Sequence, residues 1–142
     1  RRVLFRSTTD YAVAIFHEAL SKGSYECFLS SDTKMPMMYM DDAIQATIQI
    51  MQAEGDALSI RSSYNLAAMS FTPAELAAEI SKHIPGFTIS YAPDSRQQIA
   101  DSWPASIDDS EARRDWGWQQ EYDLAQMTVA MLDNLKNHPD FI

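Results

Sequence analysis

The chain has 142 residues, 11 Lys and Arg against 20 Asp and Glu, a net charge of −9, and one cysteine. Its length fits one domain with a sizeable core. The acidic balance disfavours a phosphate-backbone partner, which needs a basic footprint, so no nucleic acid is expected. A lone Cys27 excludes an internal disulfide and a Cys-rich zinc site, and fits a reducing compartment.

His17, His83 and His138 lie far apart and show no metal-ligand spacing, so no metal is expected. The four glycines, Gly23, Gly55, Gly86 and Gly117, each stand alone, and no Gly-rich phosphate loop can be written. No apolar run approaches the ~20 residues of a membrane span. The basic start RRVLFRS holds three of the 11 positive charges and has no initiator Met. Residues 1–7 are read as foreign to the rest, and 8–142 as a piece that starts inside a longer protein.

From Thr8 to Leu20, Ala12, Ile15, Phe16, Ala19 and Leu20 recur at helical spacing, with Thr8 or Thr9 as cap and Gly23 as stop. Tyr25–Leu29 reads as a strand, Asp32–Met35 as a turn, and Met37–Met40 as a second strand. Asp41-Asp42 opens a helix, where two carboxylates suit the dipole and the free N–H groups. Ile44, Ile48 and Met51 are its expected buried stripe, and the nearby Met run is expected to fill core. Tyr64–Ala67 is a short strand.

Thr72-Pro73-Ala74-Glu75 is the strongest local signal: N-cap, Pro at the first helical position, and a capping box. Leu76, Ala77, Ile80 and Ile84 form that helix's apolar face, and Pro85-Gly86 stops it. Phe87–Tyr91 alternates as a strand, with Phe87, Ile89 and Tyr91 on one face. Short helices are expected over 94–101 and 108–116. A last amphipathic helix runs from Leu124 to Leu135 on Leu124, Met127, Met131 and Leu135. The fold class is α/β, with helices dominating and strands short, without the opening strand, Gly-loop and helix of a nucleotide fold.

Two places hold ligand-binding chemistry. Thr8, Thr9 and Asp10 bring two hydroxyls and a carboxylate to a helix start, where they form either a plain N-cap or a polar ligand site. Trp103, in Asp101-Ser102-Trp103-Pro104, is either a lid over a small ligand or a plug in the core. Asp115-Trp116-Gly117-Trp118 is assigned to packing. The residues alone do not define a reaction, and no catalytic residue is assigned.

Several stretches taken together carry a resemblance: TTDYAVAIFHEAL, PMMYMDDAIQATI, SYNLAAMSFTPAELAAEI and ISYAPDSRQQIADSWPASIDDSEARRDWGW. They resemble the C-terminal half of NAD-dependent L-threonine 3-dehydrogenases, extended short-chain dehydrogenases related to the sugar-nucleotide epimerases. The resemblance implies the C-terminal substrate-binding part of such an enzyme, with the Rossmann nucleotide half missing. It implies oxidation of L-threonine to 2-amino-3-oxobutanoate, and NAD bound mainly by the N-terminal half. It also implies a homodimer when full length, in the cytoplasm, or in the mitochondrion of a eukaryote. Thr8, Thr9 and Asp10 match the family's Thr-Thr-Asp, and Trp103 its pocket Trp, which makes these four the expected substrate-binding residues.

The family's Tyr-x-x-x-Lys pair has no counterpart, because no Tyr here is followed by Lys four residues later. The chain is therefore expected to be inactive alone. Sugar-nucleotide relatives carry Arg-Asp where this chain has Met35-Pro36, with Lys34 one residue off. A diphosphate site thus loses its bidentate donor. The alternatives are a fragment of such an epimerase or dehydratase, or a non-catalytic small-molecule binding module.

Overall fold

A computed structural model describes residues 11–138. The expectations for residues 1–7 and for Thr8, Thr9 and Asp10 lie outside the described residues. Along the chain run α1 (Tyr11–Lys22), β1 (Ser24–Cys27), β2 (Met35–Met37), α2 (Met40–Gln52) and β3 (Met69–Phe71). They are followed by α3 (Pro73–Ser81), β4 (Thr88–Tyr91), α4 (Ser95–Asp101), α5 (Ser110–Trp116) and α6 (Leu124–Asn137).

The larger core lies between α1, α3 and α6 and a parallel pair of strands. On α1 the buried residues Tyr11, Ile15, Phe16 and Ala19 keep helical spacing. Gly23 stops the helix at φ 70, a left-handed backbone that only glycine adopts cheaply. The next residue starts β1, which pairs in parallel with β4, Tyr25 opposite Ile89. The ladder continues past both ends: Thr88 N–H donates to Gly23 O at 3.1 Å and Ala92 N–H to Cys27 O at 2.8 Å. α3 carries the full capping box, with Thr72 Oγ1 accepting from Glu75 N–H at 3.2 Å and Glu75 Oε2 from Thr72 N–H at 2.8 Å. Its Leu76, Ala77 and Ile80 complete the core with Met127, Leu132 and Leu135 of α6. Each such large side chain, fully buried, contributes roughly 1.5–3 kcal/mol.

The second region is thin. α2, the segment 53–68 and α5 share a small cluster centred on Ala46, Ala112 and the wholly buried Trp118. Here the structure corrects several expectations. Ile44, Ile48 and Met51 are not a buried stripe: they are 52%, 42% and 80% exposed. Helical periodicity marks the stripe but does not say whether a partner covers it, and the side of α2 that packs inward carries Asp42 and Ala46. Of the Met run, Met35 is buried and Met40 is exposed. Met40 starts α2, and the second strand lies earlier than expected, at Met35–Met37, antiparallel to β3.

Tyr64–Ala67 forms no strand. The backbone of Ala67 is served by side chains instead: its N–H donates to Asp109 Oδ2 at 3.3 Å and its carbonyl accepts from Trp118 Nε1 at 3.0 Å. Asp42 does not cap its helix. It is 1% exposed and accepts from the backbone N–H groups of Glu121 and Tyr122 at 2.8 and 3.2 Å, tying α2 to the approach of α6. On β4, Phe87 is buried just before the strand, while Tyr91 is exposed, so the expected common face holds only in part.

Candidate functional site

Asp94 caps the start of α4, its carboxylate accepting from Arg96 N–H at 2.8 Å. The same carboxylate takes the Arg96 guanidinium, which holds its pKa below the usual carboxylate range. Arg96 also lies over the Phe28 ring at 3.3 Å, so its charge is already engaged. At the other end of α4, Ser102 N–H donates to Ile99 O at 3.1 Å and Trp103 N–H to Ala100 O at 3.0 Å. These bonds fasten the backbone of Trp103 to the helix end.

Trp103 is 42% exposed, whereas Trp118 is wholly buried and has a partner for its N–H. The core-plug reading therefore describes Trp118 and not Trp103. Trp103 stands at the edge of an open cleft of about 460 Å³, a size suited to a small ligand. One wall is the loop after β1, with Ser30, Asp32, Thr33 and Lys34; the other is α4 and its C-terminal extension, with Gln97, Asp101 and Trp103. The cleft thus joins two carboxylates, one ammonium, two hydroxyls and one indole face. Such a set suits a small zwitterion better than a polyanion. Among the described residues no group of His, Cys, Asp or Glu is placed to hold a metal ion.

The sequence placed Trp103 at this site and missed most of its surroundings. Asp32, Thr33 and Lys34 carried only a turn signal. Gln97 and Asp101 stand four apart on a short helix, a spacing that puts them on one face, and that was the signal available. Asp41 and Asp42 take no part. Thr8, Thr9 and Asp10 lie outside the described residues, but Tyr11, the next residue, is anchored in the larger core. Burial pushes the pKa of its hydroxyl far up, so it stays a neutral phenol. A wider groove of about 650 Å³ between α3 and α6 is bordered by Glu79, Lys82, His83 and Tyr122 and does not include Trp103, the expected site residue that is described.

The described residues, with six helices and short strands in a mixed α/β arrangement, match the C-terminal part of GalE-like extended short-chain dehydrogenases. Within that class, the chain is homologous over about 89% of its length to L-threonine 3-dehydrogenases. The mitochondrial L-threonine 3-dehydrogenase of Sus scrofa is 58% identical over 127 residues, covering 89% of this chain and 34% of the relative. An uncharacterized epimerase/dehydratase of Staphylococcus haemolyticus is 56% identical over 126 residues, 88% of this chain and 40% of the relative. The apo structure of a GalE-like L-threonine dehydrogenase from Cupriavidus necator superposes with a TM-score of 0.89 at 58% identity, covering 92% of this chain and 47% of that one. No protein-family model matches the chain. The chain spans less than half the length of the relatives it matches. No described helix is long and apolar enough to cross a membrane.

Proposed function

We propose that this chain forms the amino-acid-side wall of the substrate site in an NAD-dependent L-threonine 3-dehydrogenase. The intact enzyme oxidises the β-hydroxyl of L-threonine to give 2-amino-3-oxobutanoate. The observation that carries the reading is the exposed Trp103 indole beside a small cleft of mixed charge. Trp103, with Thr8, Thr9 and Asp10, binds the substrate. The carboxylates and hydroxyls take the ammonium and hydroxyl ends, Lys34 draws the carboxylate, and the indole excludes water from the reacting carbon. A sugar-nucleotide diphosphate fits less well, since Asp32 and Asp101 outnumber Lys34 and Arg96 is engaged with Asp94.

The described residues offer no cradle for the phosphates of NAD. Its glycines stand singly, and Gly23, Gly86 and Gly117 take positive φ where helices or turns end, not in a phosphate-cradling loop. NAD is bound mainly by the dinucleotide-binding half, and no step through the cofactor is assigned to residues of this chain. That half covers the apolar face of α2, where Met40, Ile44, Ile48 and Met51 are exposed. The intact enzyme is a homodimer built through that half, and works in the cytoplasm or, in a eukaryote, the mitochondrion.

The test is NADH formation from L-threonine and NAD, measured twice. The chain alone gives no rate above blank, since it holds no Tyr-x-x-x-Lys pair. The chain joined to the dinucleotide-binding half of the Cupriavidus necator relative oxidises L-threonine. A rate from the chain alone, or a joined enzyme that folds and binds NAD but ignores threonine, contradicts the reading.

A further inference from the structure

The two walls of the cleft come from segments more than sixty residues apart. Arg96 over Phe28 and Asp94 N–H donating to Phe28 O at 3.2 Å join them at the start of α4, and Gln97 joins them inside the cleft. Gln97 Oε1 accepts from Ser30 N–H at 2.8 Å and from the Thr33 hydroxyl at 3.2 Å. The Gln97 Nε2 donates to Thr33 Oγ1 at 3.0 Å and to Asp101 Oδ1 at 2.6 Å. A carboxamide has two acceptor and two donor positions, and here all four are used. Its orientation comes from chemistry: a backbone N–H can only donate, so the oxygen end faces Ser30, and a carboxylate can only accept, so the NH₂ end faces Asp101. The geometry points to Gln97 as the positioning residue of the cleft. Without touching the reacting atoms, it fixes the distance between the Ser30–Lys34 wall and the Trp103 wall, and holds one oxygen of Asp101 so that the other is free for a ligand cation.

The physical chain is short. Gln97 holds Asp101, Asp101 lies at the C-terminal end of α4, and the backbone N–H of Trp103 is bonded to Ala100 in the same helix end. The opposite wall is anchored from behind, because Ala74 N–H donates to Ser31 O at 3.1 Å. The start of α4 is held by Asp94 N–H on Phe28 O and its middle by buried Ala100, so a loosened Gln97 releases the Asp101–Trp103 end of the helix relative to a fixed loop. The substrate part of this inference rests on the threonine reading; the positional part does not.

Two variants separate the contacts. Gln97→Glu keeps an acceptor for Ser30 and Thr33 but sets a carboxylate against Asp101. Gln97→Met keeps the length and removes every bond. The full chain, labelled with 5-fluorotryptophan, gives one ¹⁹F resonance for each of Trp103, Trp116 and Trp118, assigned by Trp103→Phe. The exchange rate of the Ser30 amide is read in parallel.

Gln97→Glu is expected to shift or split the Trp103 resonance, leave Trp116 and Trp118 in place, and keep Ser30 protected. Gln97→Met is expected to disturb Trp103 and speed Ser30 exchange by about tenfold or more. Titration with L-threonine, on the labelled chain joined to a dinucleotide-binding half with NAD bound, moves the Trp103 resonance, and both variants weaken that binding by about tenfold. A Trp103 resonance unchanged in both variants overturns the positioning role, whatever threonine does. A joined protein that binds NAD but whose Trp103 ignores threonine contradicts the threonine reading, while the ligand-free spectra still decide the role of Gln97. Equal disturbance of all three indoles in both variants assigns Gln97 to general stability and also overturns the proposal.

Discussion

The core between α1, α3 and α6 and the cluster around Trp118 are built on opposite plans. In the first, apolar stripes from three helices meet one another and the β1–β4 pair, and Phe16, Leu76 and Ile80 are shut away from water. In the second, one indole and two alanines form the centre, buried carboxylates do much of the joining, and the apolar stripe of α2 faces out. Asp42 and Asp109 there hold backbone groups that a neighbouring strand or helix would otherwise satisfy. The first region closes on itself; the second has the character of one side of an interface.

The largest contrast lies in truncating apolar side chains. Leu76→Ala should lower stability by about 2–5 kcal/mol, as a core cavity does. Ile48→Ala on the α2 face should stay within about 0.5 kcal/mol, as surface changes do. Thermal or denaturant melts of the two variants measure the difference. Equal losses would mean that α2 is packed in solution and would remove the distinction between the regions.

A smaller effect concerns association. The pair Ile44→Lys and Ile48→Lys should leave the melting temperature nearly unchanged and shift the chain from associated species to monomer in sedimentation, because it breaks an uncovered apolar patch. An unaltered chain that is already monodisperse and monomeric at high concentration would argue that the α2 face is not adhesive.

The same contrast explains what the sequence made legible. Elements that carry their own signals and close on partners within the chain were readable: the Thr72 capping box, the stop at Gly23, the burial of Ile15, Phe16, Met127 and Leu135. Where no described element covers the stripe, periodicity misled. The Ile44, Ile48 and Met51 stripe is real, but its burial depends on something beyond α2, and Tyr64–Ala67 has strand composition with no strand beside it. The site was legible through Trp103, whose local pattern is distinctive. Gln97, Asp101 and Lys34 were not, because their meaning arises from two distant segments meeting, and neither segment alone indicates a cleft.

In the proposed role, Trp103 works on the substrate and not on the fold. The most direct measurement takes one preparation of Trp103→Ala, in the chain joined to a dinucleotide-binding half, and records both its melting temperature and its threonine kinetics. The expected result is a nearly unchanged melt, an unchanged affinity for NAD, and a loss of kcat/KM for threonine equivalent to about 1–3 kcal/mol. A stability loss of about 3–5 kcal/mol with unchanged threonine kinetics would contradict it, and would return Trp103 to the core.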